Sequence, residues 1–405
     1  MPPLSVLPHL LAGTVVIISL GAVAFLLLAI WCVLGFRGAT RRDNAVLPAV
    51  TLLKPLCGEE PQLAEALRSF CAQDYPAPLQ IVFGLRSAAD PAAAVVAALR
   101  TEFPDRDIAL VIDATVRGPN LKVSNLVSMV RAAKHDVFVV SDSDVLITPD
   151  CLRRVASSLD DPEVGAATCL FRGTPVRADS AVAQLGSLFI DAWIAPAIVM
   201  DAVLFGSHAC YGPLTAIRRE IVEAAGGFSA LVSVLADDTE LGNITATQGK
   251  KVILADAAVD TLVSETRLRT LLSRELRWAR ISRSERPASY LASVFTHGFP
   301  LALLLFALGP TYVSGLILGT VAALRALLLW SVQRRFGRAA GTANPTPWTL
   351  MAREILTFGV WAAAFASRSI LWRGRRLRIL PGGHIALDDV ETGGPSPSGA
   401  EGQRL

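Results

Sequence analysis

The sequence is short of charge, of histidine and of paired cysteine. Only 18% of its 405 residues are charged, against about 25% in an ordinary soluble domain. That scarcity excludes a disordered, self-repelling chain. A net charge of +3 gives no global attraction to polyanions and excludes a nucleic-acid-coating protein, so any anion binding must be local. The five histidines are scattered, and the six cysteines (Cys32, Cys57, Cys71, Cys151, Cys169 and Cys210) show no CxxC spacing. Clustered zinc ligands are therefore missing, and the cysteines read as reduced structural thiols. No GxGxxG follows the first strand-like run, which argues against a nicotinamide-binding fold.

What is abundant is apolar sequence, 52% of the chain, and it is concentrated. Leu10 to Phe36 carries no charge over 27 positions, more than the roughly 20 needed to cross a bilayer as a helix. A cleaved signal peptide is the alternative, but residues 1–9 have no Lys or Arg and the run is about twice a signal core. Arg37, Arg41 and Arg42 follow at once, and the positive-inside rule then directs the next segment to the cytoplasm. Leu291–Gly309 and Thr311–Val332 read as two further spans, the second containing Arg325, which is near enough to the basic end (Arg334, Arg335, Arg338) to snorkel. Ile355–Ala366 has only 12 uncharged residues between Glu354 and Arg368. With basic stretches on both sides it reads as an interfacial or re-entrant helix.

Residues 49–287 look like a separate α/β domain. Ala49–Leu53, Leu79–Leu85, Ile108–Ile112 and Asp136–Val140 are short, β-branched and apolar, with helix-like Pro61–Ala72 and Pro91–Glu102 between them. Alternation of this kind predicts a mainly parallel sheet covered on both faces, with ligands beyond the carboxyl ends of its strands. The expected organisation is an anchor at 1–36, a basic linker at 37–48, the α/β domain at 49–287, a membrane region at 288–378 and a disordered tail at 379–405.

Three polar clusters stand where chemistry would be expected. Ser141-Asp142-Ser143-Asp144 follows the fourth strand, and Asp-x-Asp in such a turn suits a hard cation such as Mg2+ or Mn2+ that also binds phosphate oxygens; a solvated turn is the plain alternative. Asp237-Asp238 precedes a helix-like run, where Asp237 suits an N-cap and Asp238 a general base. In Arg274-Glu275-Leu276-Arg277-Trp278, two arginines at i and i+3 share a helix face and can grip a diphosphate, with Trp278 as an apolar wall. Seven arginines fall between Arg267 and Arg286; Arg280, Arg283 and Arg286 continue toward the apolar segment and are read as lipid-facing.

Taken in order, an N-terminal anchor, VTLLKPLCG, ADP at Asp90, LKVSNL at Lys122, SDSD at Asp142–Asp144, LADD at Asp238 and RELRW resemble the inverting, membrane-bound nucleotide-sugar glycosyltransferases of the ceramide glucosyltransferase family. Over roughly residues 49–300 the likeness is greatest to the bacterial hopanoid-biosynthesis-associated branch. The resemblance implies a GT-A fold, with Asp90 near the nucleotide base and Asp142 at metal and diphosphate. Lys122 would lie near the phosphates and Asp238 would be the catalytic base, with Arg277 and Trp278 beside diphosphate and acceptor. Arg274 stands where processive polysaccharide synthases usually carry Gln. Ceramide-type members often have one acidic residue where this chain has both Asp142 and Asp144, so Asp144 is expected as a second metal ligand from its spacing to Asp142 and not from the family pattern. The implied reaction is sugar transfer, with inversion, from a UDP-sugar to a lipid hydroxyl on the cytoplasmic side of a bacterial inner membrane. N-acetylglucosamine and a polyhydroxylated hopanoid are the first expectation, and glucosyl transfer to ceramide the second. A processive polysaccharide synthase and a non-enzymatic membrane scaffold are the remaining alternatives.

Overall fold

A computed structural model describes residues 7–38 and 46–388. Its centre is an eight-stranded mixed sheet. In chain order the strands are β1 (Val50–Pro55), β2 (Leu79–Leu85), β3 (Asp107–Ile112), β4 (Val137–Val140), β5 (Val145–Leu146), β6 (Val164–Pro175), β7 (Thr215–Arg218) and β8 (Lys251–Val263). Across the sheet they run β3-β2-β1-β4-β7-β6-β8-β5. The first four neighbours are parallel, as their apolar, β-branched sequences predict. β7 enters antiparallel to both β4 and β6, and β5 antiparallel to β8, while β6 and β8 pair in parallel, so the sheet is mainly parallel, as expected, with antiparallel insertions. β6 and β8, the longest strands, interleave Gly, Thr, Asp and Arg with apolar residues. That composition conceals them from a search for apolar runs.

Strand order reverses between β1 and β4, and a crevice opens beyond their carboxyl ends at such a point. Here the chain leaves β4, passes through Ser141–Asp144 and resumes as β5 on the far edge of the sheet. The segment is tied at both ends: Ser141 N donates to Leu53 O at 3.2 Å, and Leu262 N to Asp144 O at 2.8 Å. The Asp-x-Asp loop is thus strung across the crevice. Buried apolar residues cover both faces of the sheet.

Among the described residues, four helices are long and apolar enough to cross a membrane: Val16–Gly35, Ala181–Phe205, Tyr312–Phe336 and Pro347–Ala366. A fifth candidate is the pair Pro287–Thr296 and Gly298–Leu308, bent by 56°. The segment expected as one continuous span at Leu291–Gly309 is therefore broken, at His297. Ala181–Phe205 escapes a hydropathy reading because Asp191 and Asp201 interrupt it. Asp191 is buried and accepts a hydrogen bond from Gly173 N at 3.0 Å.

Two expectations about charge are corrected here. Arg325 does not snorkel: it is 2% exposed and its Nε lies 2.7 Å from Glu354 Oε1. Its guanidinium lies 4.3 Å from the Trp193 ring centre. Arg353 and Glu354, which shortened the apolar count at Ile355–Ala366, are both paired and inaccessible, so the helix extends over Pro347–Ala366. Arg280 and Arg283, expected to face lipid, are also engaged by the chain itself. Arg280 donates to Ser369 O, and Arg283 to Phe365 O and Ser367 O.

Those carbonyls lead into a small sheet of β9 (Ser369–Trp372), β10 (Arg375–Ile379) and β11 (Ile385–Leu387), in order β11-β10-β9. The helix expected at Ile355–Ala366 does end at Ala366 but begins earlier, at Pro347, and strand structure continues past 379, into the expected tail. The rest of the expected tail, 389–405, lies outside the described residues, as do residues 39–45 of the basic linker with Arg41 and Arg42.

Candidate active site

The crevice forms a cavity of about 460 Å3, lined by residues from the ends of β1 and β4, two helix N-terminal segments, the helix Leu268–Glu285 and the β9–β10 hairpin. Lys122, Asp142, Asp144, Asp238, Arg274, Arg277 and Trp278 all line it. Of the residues the sequence singled out, Asp90 alone does not reach the wall. Its carboxylate accepts from Gly58 N at 2.9 Å and from Ala92 N at 3.0 Å. It therefore fixes the loop after β1 against the helix Ala92–Glu102.

Lys122 sits in the first turn of the helix Leu121–Met129. Asn120 caps that helix by accepting from Val123 N, while its Nδ2 donates to Val234 O at 2.7 Å. This ties the lysine to the segment that precedes Asp237. Lys122 Nζ lies 2.9 Å from both Asp142 Oδ1 and Asp237 Oδ2. Burial alone would lower its pKa, but Asp142, Asp237 and Asp238 outweigh burial and hold it above the usual lysine range. Asp237 is accordingly not the helix cap. Ala236 occupies that position without a side-chain bond, and Asp237 is a buried partner of Lys122.

Asp238 is the more interesting carboxylate. Its Oδ2 accepts from Gly212 N at 2.7 Å, and burial, reinforced by Asp237 and opposed by Lys122, pushes its pKa up to about 6. A Cβ at Gly212 would stand 2.9 Å from Asp142 Oδ2 and 3.3 Å from Asp238 Oδ2. The glycine is what lets the Asp142 and Asp238 carboxylates converge. Asp144 is pushed up to about 7 by burial and then by Asp142 and Glu60. Both are carboxylates short of positive charge.

Two arginines complete the wall. Arg274 pairs with Glu265 at 2.9 Å and lies 5.2 Å from the Trp278 ring centre. Trp278 stacks on Phe189, with ring centres 6.3 Å apart. Arg277 makes no ion pair among the described residues. Burial lowers its pKa to about 10, with help from Arg274 and Arg373.

Sequence reading missed several residues of the wall and its support. Lys54 stands inside the buried strand β1, and a lysine in an apolar strand was the available signal. Its Nζ donates to Asp142 O at 2.6 Å and lies 3.6 Å from the Phe70 ring centre; burial lowers its pKa to about 7. Gly212 gives no signal at all. Trp372 and Arg373 lie in a basic run that looks lipid-facing. Glu285, pushed up to about 7 chiefly by burial, ends the same helix as Arg277. The six cysteines are free, and all but Cys57 are buried, in keeping with structural thiols.

A mixed sheet of this order, with acidic residues and arginines meeting beyond β1 and β4, defines a GT-A glycosyltransferase, an enzyme that transfers sugar from a nucleotide-sugar. The chain belongs to Glycosyl transferase family 21, whose profile matches residues 14–385. It is 24% identical over 357 residues to ceramide glucosyltransferase 3 of Caenorhabditis elegans, covering 85% of this chain and 75% of that one. It is 26% identical over 353 residues to an N-acetylglucosaminyltransferase of Rhizobium leguminosarum bv. viciae, covering 82% and 76%. Among solved structures, a mannosyltransferase from Pyrobaculum calidifontis in complex with GDP-Man and Mn2+ shares the fold. Its TM-score is 0.54 at 22% identity, covering 86% of this chain and 97% of that one.

Proposed function

We propose that the chain is an inverting, membrane-bound transferase that moves a sugar from a UDP-sugar to a lipid hydroxyl. The observation that carries this reading is the pairing of Asp238 with Gly212 at the cavity wall, beside a helix whose Arg277 and Trp278 line the same cavity and which leads directly into apolar helices.

In this reading the nucleotide lies over the loop that Asp90 holds, with its diphosphate near Lys122, Asp142 and Asp144. The donor set fits a hard divalent cation, Mg2+ or Mn2+. Asp142 and Asp144 share one short loop, and no group of three His, Cys, Asp or Glu suited to a metal occurs among the described residues. Such an ion would take its remaining ligands from phosphate oxygens. When bound, it would offset charge on the diphosphate.

Asp238 takes the proton from the acceptor hydroxyl, which attacks the anomeric carbon in line, opposite the leaving UDP. A pKa near 6 lets the carboxylate be ionised at neutral pH while remaining basic enough to accept a proton. Arg277, free of any carboxylate partner among the described residues, donates to the departing diphosphate, and Arg274 braces it from Glu265. Trp278 gives the acceptor an apolar wall. One displacement inverts an α-linked donor to a β-glycoside.

The sugar we favour is N-acetylglucosamine and the acceptor a polyhydroxylated hopanoid, with the catalytic domain on the cytoplasmic face of a bacterial inner membrane. The Rhizobium relative supports the sugar. Glucosyl transfer to ceramide is the second reading, supported by the Caenorhabditis relative. Transfer assays with labelled UDP-N-acetylglucosamine and UDP-glucose against hopanoid and ceramide decide between them. A single β-linked sugar on one lipid is expected. A polymer on a sizing column would indicate a processive synthase instead, and inactivity with every donor would revive a scaffold role.

A further inference from the structure

The basic run RSILWRGRRLR, from Arg368 to Arg378, has no part in the reading above. In the structure it is the β9–β10 hairpin, and Trp372, Arg373, Arg375 and Leu377 all line the nucleotide cavity. Trp372 pairs with Arg375 across the hairpin, so Arg373-Gly374 is a two-residue turn, with φ of +50° and +75°. Turns with both central residues at positive φ ordinarily carry Asn-Gly or Asp-Gly. An arginine there is strained, and strain of this kind gathers at ligand sites.

The side chain spans from the hairpin to the loop after β1. Arg373 Nη2 lies 2.8 Å from Glu60 Oε1, and Nη1 donates to Cys57 O at 3.2 Å. These bonds engage two of the five guanidinium donors, and 45% of the side chain stays accessible. The hairpin also meets the RELRW helix, because the Arg277 guanidinium lies 5.8 Å from the Trp372 ring centre. Arg274, Arg277, Arg373 and Arg375 therefore surround one cavity. Arg277 and Arg375 have no ion pair among the described residues and Arg373 keeps free donors, and planar arginine forks suit phosphate.

We propose that Arg373 is a donor-binding residue, its guanidinium oriented by Glu60 and Cys57 so that its remaining donors grip, with Arg277, the diphosphate of a nucleoside diphosphate-sugar. The proposal rests on the nucleotide-sugar reading and adds a ligand from a part of the chain beyond the α/β domain. The C-terminal hairpin is then a wall of the donor site.

The test uses the full-length protein in detergent, with UDP binding followed by calorimetry and uridine binding by ligand-observed NMR. Arg373→Ala is expected to weaken UDP by about 10- to 100-fold, the effect of losing charge-assisted hydrogen bonds, and to leave uridine unchanged. Arg373→Lys, which keeps the charge and loses the fork, should give a smaller loss. If the alanine variant does not fold, the lysine variant carries the test, with UDP weakened and uridine not. Wild-type affinity for UDP in either folded variant overturns the proposal. So does an equal loss of UDP and uridine, which would make the hairpin a structural support only. A wild-type protein that binds no UDP would overturn the donor reading itself, and this inference with it.

Discussion

Two groups of buried ionic side chains among the described residues are treated in opposite ways. In the helical region, Arg325 meets Glu354 and Arg353 meets Glu275, each pair almost wholly inaccessible. Arg353 Nη1 lies 3.0 Å from Glu275 Oε1, its Nη2 also reaches that carboxylate, and its Nε donates to Thr357. In the cavity beyond β1 and β4 the same residue types are left uneven. Asp144 and Asp238 are crowded by other carboxylates and Arg277 by other arginines. Buried charge is tolerated when it is paired: in the first region each cation meets its own carboxylate, whereas in the second the carboxylates and Arg277 are left without that balance, as the proposed binding of a charged ligand requires. The two touch through Glu275, which sits in the RELRW motif yet serves the helical region. Phe189 stacks on Trp278 and lies 4.7 Å from the Arg353 guanidinium, joining them again.

This contrast can be broken from either side. Asp238→Asn should cut transfer by about 10²- to 10⁴-fold, the contribution of a positioned general base, while UDP affinity stays within about threefold. Radiolabelled transfer and calorimetry measure the two, and retained turnover would remove Asp238 as the base. Arg353→Ala strands Glu275 in a buried site and should destabilise the protein by about 3–5 kcal/mol, read as a lowered melting temperature in detergent. Adding an apolar partner change, Arg353→Met with Glu275→Leu, should recover most of that loss. If the double variant is no better than the single one, stranded charge is not the cause.

A smaller effect is expected from Gly212→Ala. The new methyl would press on the Asp142 and Asp238 carboxylates, and displacement of reacting groups costs up to about 10²-fold in rate. The melting temperature should barely move, since the strain falls on the cavity wall. Gentlest is the pH response. Asp238, raised to about 6 in the free protein, must be ionised to act as the proposed base, so kcat/KM should fall about tenfold per unit below pH 6 and level off above it. A pH–rate profile flat from 5 to 7 would contradict this.

Much of the fold could be read from the chain because the relevant signals are local. The four parallel strands differ from their expected bounds by no more than two residues at either end, since apolar, β-branched runs between helices have few other uses. The site motifs were legible for a related reason: acids or arginines placed just after an apolar strand or along one helix face need a task. Lys122, Asp142, Asp144, Asp238, Arg274, Arg277 and Trp278 do share one cavity. Asp90 does not, because its carboxylate is taken up by two backbone N–H groups. Arg325, Arg353 and Glu354 misled for the converse reason. A lone charge in an apolar run looks like an interruption until its partner, far off in sequence, is known.

By itself, then, the sequence determined the first four parallel strands, most of the apolar helices and the placing of acidic and arginine motifs at strand ends and on one helix face, because period, run length and residue type act over a few neighbours. Only the tertiary structure decided where each charge finds its partner. Glu275 turns from its motif to Arg353, 78 residues on. Arg373 comes back from the far end of the chain to Glu60, 313 residues earlier, and both line the same cavity. Pairing of that kind depends on distance in space, on which local pattern is silent.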